Sequence, residues 1–267
     1  MASNNPAFRN NAFQGGQAAT LNHAQQGLSA EELVQMYNRP AAGSTQTDRM
    51  TVEDTIAKTG ISFGVLLVAA VVGWIFPALA IPGAIVGFVL ALVNIFKREP
   101  SPALILAYAG AQGLFVGGIS SFFELQWPGI VSQAVIATLV VVGVTLALFA
   151  SGKIRASKRA TKIFLIAMIG YAVFSLVNVG LVMFGAINSP FGLSSEVTIA
   201  GIPLGLILGV FVVLMAAYSL VLDFDMIQQG VRNRAPRKYG WSGAFGIMVT
   251  VIWLYMELLR MFAIARD

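Results

Sequence analysis

The sequence lacks the residues on which most metal and redox sites depend. It contains no cysteine and a single histidine, His23, which lies in a polar N-terminal region. The absence of cysteine excludes disulfides and thiolate ligands, and one histidine gives no support for a zinc site. Phosphate-binding GxxxxGKS/T loops, HExxH and GxSxG motifs and EF-hand loops are also absent. We therefore expect no enzyme activity, no ATP-driven transport and no resident cofactor.

Charged residues are also scarce. Only 11% of the 267 residues are charged and 57% are hydrophobic, whereas soluble chains carry about 25% charged residues. Several apolar runs approach or exceed the roughly 18 residues that predict a membrane-spanning helix. The composition therefore predicts an all-α polytopic membrane protein in contact with the lipid bilayer. The net charge is +5. Because the basic residues are distributed over alternate loops, as described below, their pattern indicates membrane topology, and we expect no nucleic-acid partner.

The first 50 residues differ from the rest, being rich in Asn, Gln, Gly and Ala. Such a segment buries too little apolar surface to fold, so it predicts a disordered tail. One short helix is predicted near Ser29 and Glu32, which have capping-box spacing. No apolar segment follows a basic start here, so no signal peptide is predicted. Thr51 and Asp54 repeat the capping pattern and predict the start of a membrane domain over residues 51–267.

Seven apolar segments follow in the predicted membrane domain. Their ranges are 60–78, 82–96, 103–123, 129–151, 163–186, 199–222 and 241–265. The second is short, bounded by Pro82 and Lys97, and is predicted to cross the bilayer with little tilt or to span it only in part. The pattern predicts seven transmembrane helices.

Lysine and arginine occur in alternate loops. Those after the second, fourth and sixth segments hold Lys97, Arg98, Lys153, Arg155, Lys158, Arg159, Lys162, Arg232, Arg234, Arg237 and Lys238. The loops after the first, third and fifth segments hold none. Basic loops remain in the cytoplasm, so the N-terminus is predicted to be cytoplasmic and the C-terminus to lie outside the cell.

Glycines recur at four-residue spacing in two segments. Gly113 and Gly117 form one pair, and Gly201, Gly205 and Gly209 form a longer series. Small residues at this spacing let membrane helices approach closely, so we interpret these glycines as packing positions without a chemical role.

Four charged residues are predicted at membrane depth: Asp223, Asp225, Glu257 and Arg260. A charge at the centre of a membrane helix costs on the order of 2.5–3.5 kcal/mol, which makes each residue a functional candidate. Asp223 and Asp225 are two residues apart and face roughly opposite sides of a helix. Asp225 is interpreted as a helix end that meets water, and Asp223 as the buried acid. Glu257 and Arg260, three residues apart, can neutralise each other on one face.

The alternative partner for Glu257 is Asp223, across the two helices. Two carboxylates held together in a low dielectric cannot both stay ionised, so they share a proton and titrate as a coupled pair. When deprotonated, the pair repels itself and attracts a hard cation such as Ca²⁺, which prefers oxygen ligands. The pairing predicts a pH-gated cation leak with transient Ca²⁺ binding at the two carboxylates. It requires a sixth helix that continues through residues 226–230, or cytoplasmic backbone that dips into the bundle.

Several stretches resemble the Bax inhibitor-1 (transmembrane BAX inhibitor motif) family, and its bacterial branch in particular. They are NPAFRNNAF, MTVEDTIAKTGISFGVL, PALILAYAGAQGLFVGGIS, LVLDFDMIQQGVRN and VTVIWLYMELLRMF. The first of these stretches lies in the tail; the other four, with the seven-segment layout, cover about residues 50–265. The resemblance implies six helices around a central seventh. It also implies a pH-sensitive Ca²⁺ leak in bacterial members and modulation of stress or cell death in eukaryotic ones.

The resemblance places the family's aspartate dyad on two positions of this chain. Asp223 matches the first, in a D-x-x-x-I pattern completed by Ile227, and Glu257 in LYME matches the second. Two features depart from the family pattern. Glutamate replaces the usual aspartate at position 257, and the link QQGVRNRAPRKYGWSG is longer than usual.

The leading functional hypothesis is a pH-sensitive Ca²⁺ leak channel in a bacterial plasma membrane, with Ca²⁺ and H⁺ as permeant or gating ions. The alternative is a non-conducting regulator that binds other membrane proteins, such as quality-control proteases, through its tail and basic loops. Deleting residues 1–45 would abolish partner capture in the second case and leave ion flux intact in the first. A proton-coupled transporter has less support, because no inverted repeat is evident.

Overall fold

The computed structural model describes residues 48–189 and 191–266, and most of them lie in helices. The long helices are α1 Val52–Ile75, α2 Ala80–Phe96, α3 Pro102–Gln126, α4 Ile130–Ala150, α5 Lys158–Met183, α6 Leu204–Arg232 and α7 Gly240–Ile264. Within the described ranges, these seven are long and apolar enough to cross a membrane, α2 together with the 3₁₀ turn Pro77–Leu79. The predicted all-α polytopic membrane fold is confirmed. The predicted tail, with its short helix near Ser29, lies almost wholly outside the described residues.

Two helices extend farthest beyond the apolar segments that predicted them, α1 at its start and α6 at its end. Helix α1 begins at Val52 instead of residue 60, because the Thr51 hydroxyl oxygen accepts a hydrogen bond from the Asp54 N–H at 3.2 Å and caps the helix. Helix α6 continues to Arg232, well beyond residue 222. The helical extension through residues 226–230, one of the two routes to the predicted carboxylate pairing, is therefore present.

Helix α7 lies at the centre of the bundle. Half of its most apolar stretch is buried, compared with 22% for α1 and none for α5. It packs against α1, α3, α4 and α6. Leu254 and Leu259 of α7 join Ile130 of α4 and Ala216 of α6 in one apolar cluster. The implied arrangement of helices around a central seventh agrees with this packing.

Glycines bring the backbones of α1 and α3 into contact. A side-chain carbon added at Gly113 of α3 would overlap the carbonyl oxygen of Leu66, and one at Gly117 would overlap that of Ala70. On the α1 side, Gly73 meets the Leu114 carbonyl in the same way. Only glycine permits this approach, so the predicted packing role of Gly113 and Gly117 agrees with the structure.

The second predicted glycine series is only partly helical. Gly205 and Gly209 lie in α6, and a side-chain carbon at either would crowd Ile264 or Met261 of α7. Gly201 instead lies in the turn between the two-residue strands Thr198–Ile199 and Ile202–Pro203, with φ of 81°. This left-handed conformation favours glycine, so Gly201 serves a turn and not a helix contact.

The loops that hold the basic residues meet at one end of the bundle, which we call the basic end. Arg155 in the α4–α5 loop donates a hydrogen bond to Gln228 Oε1 near the end of α6 at 3.1 Å. Lys238, between α6 and α7, lies 2.9 Å from Glu99 in the α2–α3 loop. The hydrogen bond from Lys238 lowers the pKa of the Glu99 carboxyl. The alternate-loop pattern thus corresponds to one physical face of the protein.

Helix α5 lies at the periphery, and no residue in it is buried. Polar contacts attach it to the bundle. Its N-terminal Thr161 hydroxyl is 3.0 Å from the Tyr218 hydroxyl of α6, and Asn178 Nδ2 donates to the Phe191 carbonyl at 3.1 Å. Between them, the Tyr171 hydroxyl contacts α7. The apolar side chains of α5 are therefore left for the bilayer to cover.

The substitution Gly117→Ala tests the contact between α1 and α3. Because the added methyl group has to displace the α1 backbone, we expect a loss of about 1–3 kcal/mol in stability and a lower melting temperature in detergent, measured by circular dichroism. Gly143→Ala in α4 is the matched control, since a side-chain carbon there meets no atom within 4 Å. Equal melting temperatures for the two variants would contradict the backbone contact.

Candidate functional site

Asp223 is buried on α6 and faces α7. Asp223 is only 7% exposed, and Thr250 Oγ1 of α7 donates a hydrogen bond to Asp223 Oδ2 at 2.7 Å. The Ser219 hydroxyl lies 3.2 Å from Thr250 Oγ1. A side-chain carbon at Gly246 would lie 2.9 Å from Asp223 Oδ1. Gly246 therefore leaves the space in α7 that the carboxylate occupies.

A cavity of about 220 Å³ adjoins Asp223 on the side of the basic end. Its walls include Ile227 and Gly230 of α6, Tyr239, and Gly243 of α7. Asp223 is nine residues from Arg232, the last residue of α6, so it lies about 14 Å below that end at 1.5 Å per residue. The cavity thus connects the region of the basic loops with an acid well inside the helix bundle.

A short segment, residues 48–50, lies beside this cavity and lines it through Met50; we call this segment the strap. The Met50 N–H donates to the Ala235 carbonyl at 2.8 Å, and the Arg237 N–H donates to the Asp48 carbonyl at 2.9 Å. The Met50 side chain lines the cavity and is only 5% exposed. The strap is therefore paired through its backbone with the link between α6 and α7.

Charged side chains of α1 hold Arg237, the residue whose backbone N–H pairs with the strap. Asp54 Oδ1 accepts hydrogen bonds from Arg237 Nε at 2.9 Å and from Arg237 NH2 at 2.7 Å. Lys58 Nζ lies 2.5 Å from Asp54 Oδ2 and donates to the Arg237 carbonyl at 2.7 Å. The side chains of Asp54 and Lys58 are each only 9% exposed. We call these three residues the clamp; the sequence analysis missed it, because Asp54 was interpreted only as part of a helix cap.

Glu257 forms a separate cluster farther along α7. It is 4% exposed, and its Oε2 accepts a hydrogen bond from the Tyr171 hydroxyl at 2.8 Å. Arg260 NH2 pairs with Glu257 Oε1, and Arg260 NH1 donates to Ser194 Oγ at 3.3 Å. Arg260 Nε is buried and has no hydrogen-bond partner among the described residues. The predicted neutralisation of Glu257 by Arg260 is therefore what the structure contains.

The structure does not bring Asp223 and Glu257 together as the dyad hypothesis requires. Asp223 accepts its hydrogen bond from Thr250 of α7, and Glu257 lies seven residues beyond Thr250, about 10 Å along the helix. Each acid has its own hydrogen-bond partners, and Arg260 removes the need for Glu257 to share a proton. The two carboxylates thus lie at different heights along α7, Asp223 beside Thr250 and Glu257 farther on, and do not form a pair.

Asp225 also differs from its interpretation as a helix end. It lies within α6, which continues to Arg232, and its Oδ2 accepts a hydrogen bond from Gln229 Nε2 at 2.7 Å. It does face away from the Asp223 cavity and lines a groove beside α5. The separation of Asp223 from Asp225 therefore agrees with the structure, although α6 does not end at Asp225.

In the described part of the chain, no group of three or more His, Cys, Asp or Glu side chains could hold a metal ion. At Asp223 and at Glu257, one carboxylate is present, whereas Ca²⁺ takes six to eight oxygen ligands in a stable site. One carboxylate at each position does not supply that number of ligands.

These observations define a class: a seven-helix membrane protein whose central helix carries one buried carboxylate, Glu257, and contacts a second, Asp223 of α6, at a different depth. The chain belongs to the Bax inhibitor 1 like family, whose model matches residues 5–267. The family resemblance noted in the sequence is thereby confirmed. The comparison with curated proteins gives no significant match.

A double-mutant cycle tests the pairing of Glu257 with Arg260. We expect Glu257→Gln to destabilise the protein by about 3–5 kcal/mol, because it leaves a largely buried guanidinium without its carboxylate. Adding Arg260→Gln removes the second charge and is expected to restore much of the stability, as measured by thermal melting. Asp223→Asn is the comparison, since its amide oxygen can still accept the Thr250 hydrogen bond. Simple additivity of the Glu257 and Arg260 losses would argue against the pair.

Proposed function

We propose that the protein is a pH-sensitive cation leak channel, not an enzyme, and that Ca²⁺ is its permeant ion. One observation carries the proposal: Asp223 is a buried acid at the inner end of a cavity, within an apolar helix bundle. Intramembrane ionisable residues that face a bundle interior mark ion or proton pathways. Glu257 lies on the same face of α7 as Thr250, farther from the basic end, and supplies a second carboxylate beyond Asp223.

The path that we propose begins at the basic end. A cation enters beneath the strap, reaches Asp223 and then passes along α7 to Glu257. There it has to compete with Arg260, whose guanidinium already neutralises the carboxylate. Arg260 therefore limits conduction, and Arg260→Gln is expected to increase it. This model replaces the shared-proton dyad with two single carboxylates in series.

Protonation of Asp223 provides the pH sensitivity in this model. The ionised carboxylate attracts a cation into the cavity, whereas the protonated carboxyl does not. Ca²⁺ flux is therefore expected to fall as the pH is lowered through the titration of Asp223. We further propose that the basic end faces the cytoplasm of a bacterial cell, because lysine and arginine are retained on that side of a plasma membrane.

Flux measurements on reconstituted liposomes test the role of Asp223. We expect Asp223→Asn to lower Ca²⁺ flux about tenfold, equivalent to about 1.4 kcal/mol in the barrier, and to remove its pH dependence. Glu53→Gln makes the same charge change on an exposed side chain of α1 and should leave the flux unchanged. An unaltered flux and pH profile in Asp223→Asn would exclude the proposed path.

The same liposomes test whether the strap closes the cavity. Arg237→Ala removes both side-chain hydrogen bonds to Asp54, and such bonds between charged groups contribute about 1.5–3 kcal/mol each. We expect a rise in flux of about tenfold or more. Lys238→Ala is the neighbouring control, because its ion pair with Glu99 is solvent-exposed and contributes little. If both variants conduct like the unmodified protein, the strap is not the closing element.

A further inference from the structure

A second, larger cavity lies outside the proposed ion path. It is a groove of about 610 Å³ between the N-terminal half of α5 and the C-terminal half of α6. Lys158 and Lys162 line one part of it, and Leu165, Ile166 and Ile169 line the rest of the α5 wall. We propose that this groove binds one anionic phospholipid of the leaflet at the basic end.

The order of the side chains along α5 matches the order of groups along a phospholipid. Lys158 and Lys162 are four residues apart and share a helix face, and Ile166 and Ile169 continue that face. From Lys158 to Ile169 the helix rises about 16 Å, close to the roughly 15 Å depth of hydrocarbon in one leaflet. The lysines thus lie at headgroup level and the aliphatic wall extends toward the bilayer centre.

The charge of the groove favours an anionic headgroup. Among the described residues, neither Lys158 nor Lys162 forms an ion pair, and both are exposed. Asp225 lies on the opposite wall, where it accepts a hydrogen bond from Gln229 and offsets one of the two charges. Basic pockets between membrane helices on the cytoplasmic side are typical sites for acidic lipid headgroups.

Hydrogen bonds fix the polar part of the groove. The Tyr218 hydroxyl of α6 is 3.0 Å from the Thr161 hydroxyl and accepts a hydrogen bond from the Ser157 N–H at 3.3 Å. These contacts hold the start of α5 against α6, while the apolar residues below remain exposed. A soluble phosphate would occupy the lysines and leave that apolar wall uncovered, which is why we assign a lipid.

Native mass spectrometry of the detergent-solubilised full-length protein tests the proposal. Phosphatidylglycerol and phosphatidylcholine with identical acyl chains are the two probes, and glycerol phosphate is the headgroup without chains. We expect the unmodified protein to retain phosphatidylglycerol, with about tenfold weaker retention in Lys158→Gln/Lys162→Gln. The control Lys153→Gln/Arg159→Gln makes the same charge change outside the groove and should retain the lipid. Ile166→Trp should also weaken retention, because it fills the apolar part without changing charge.

Each remaining outcome overturns the proposal. Equal retention of the two phospholipids would exclude recognition of the anionic headgroup. Equal loss in the two double variants would attribute binding to general surface charge. Comparable binding of glycerol phosphate would identify a soluble-anion site, and a dimer that disappears in Ile166→Trp without a lipid adduct would identify a second copy of the chain as the occupant.

Discussion

Every charge that this bundle buries has to be satisfied inside the protein, because hydrocarbon offers no hydrogen-bond partner. Asp54 is satisfied by Lys58 and Arg237, and Glu257 by Arg260 and Tyr171. Of these buried acids, Asp223 has the weakest support, since its one partner among the described residues is a neutral hydroxyl. The cavity beside Asp223 offers room for water, which can donate the hydrogen bonds that the protein does not supply to this carboxylate.

The fold could be predicted because composition, apolar length and loop charge are properties of single segments. The same holds for contacts within a helix: the three-residue spacing of Glu257 and Arg260 predicts a shared face, and the structure contains that pair. Pairing across helices could not be predicted, because spacing along each helix does not fix the register between them. Thr250, an unremarkable hydroxyl in the sequence, lies where Glu257 was expected. The contact of Asp54 with Arg237 spans 183 residues and has no local signal.

Polar contacts attach α5 to the bundle, whereas apolar packing holds α7 in place. The central helix is held by buried side chains such as Leu254 and Leu259, whereas α5 has no buried residue and is attached through hydroxyl and amide groups. One of these groups, the Tyr171 hydroxyl, reaches the Glu257 cluster directly. The position of the peripheral helix and the state of the inner carboxylate are therefore physically linked.

The backbone contact between α1 and α3 has a mechanical consequence. Helices that touch through glycine have no intervening side chains whose rotamers could absorb a displacement, so they move as one body. Asp54 and Lys58 project from this rigid pair, while Arg237 lies on the short 3₁₀ turn Arg237–Tyr239. Any separation of the clamp must then be taken up by the turn and not by α1. If the strap opens as proposed, the moving part is therefore the turn Arg237–Tyr239 and not the pair of helices α1 and α3.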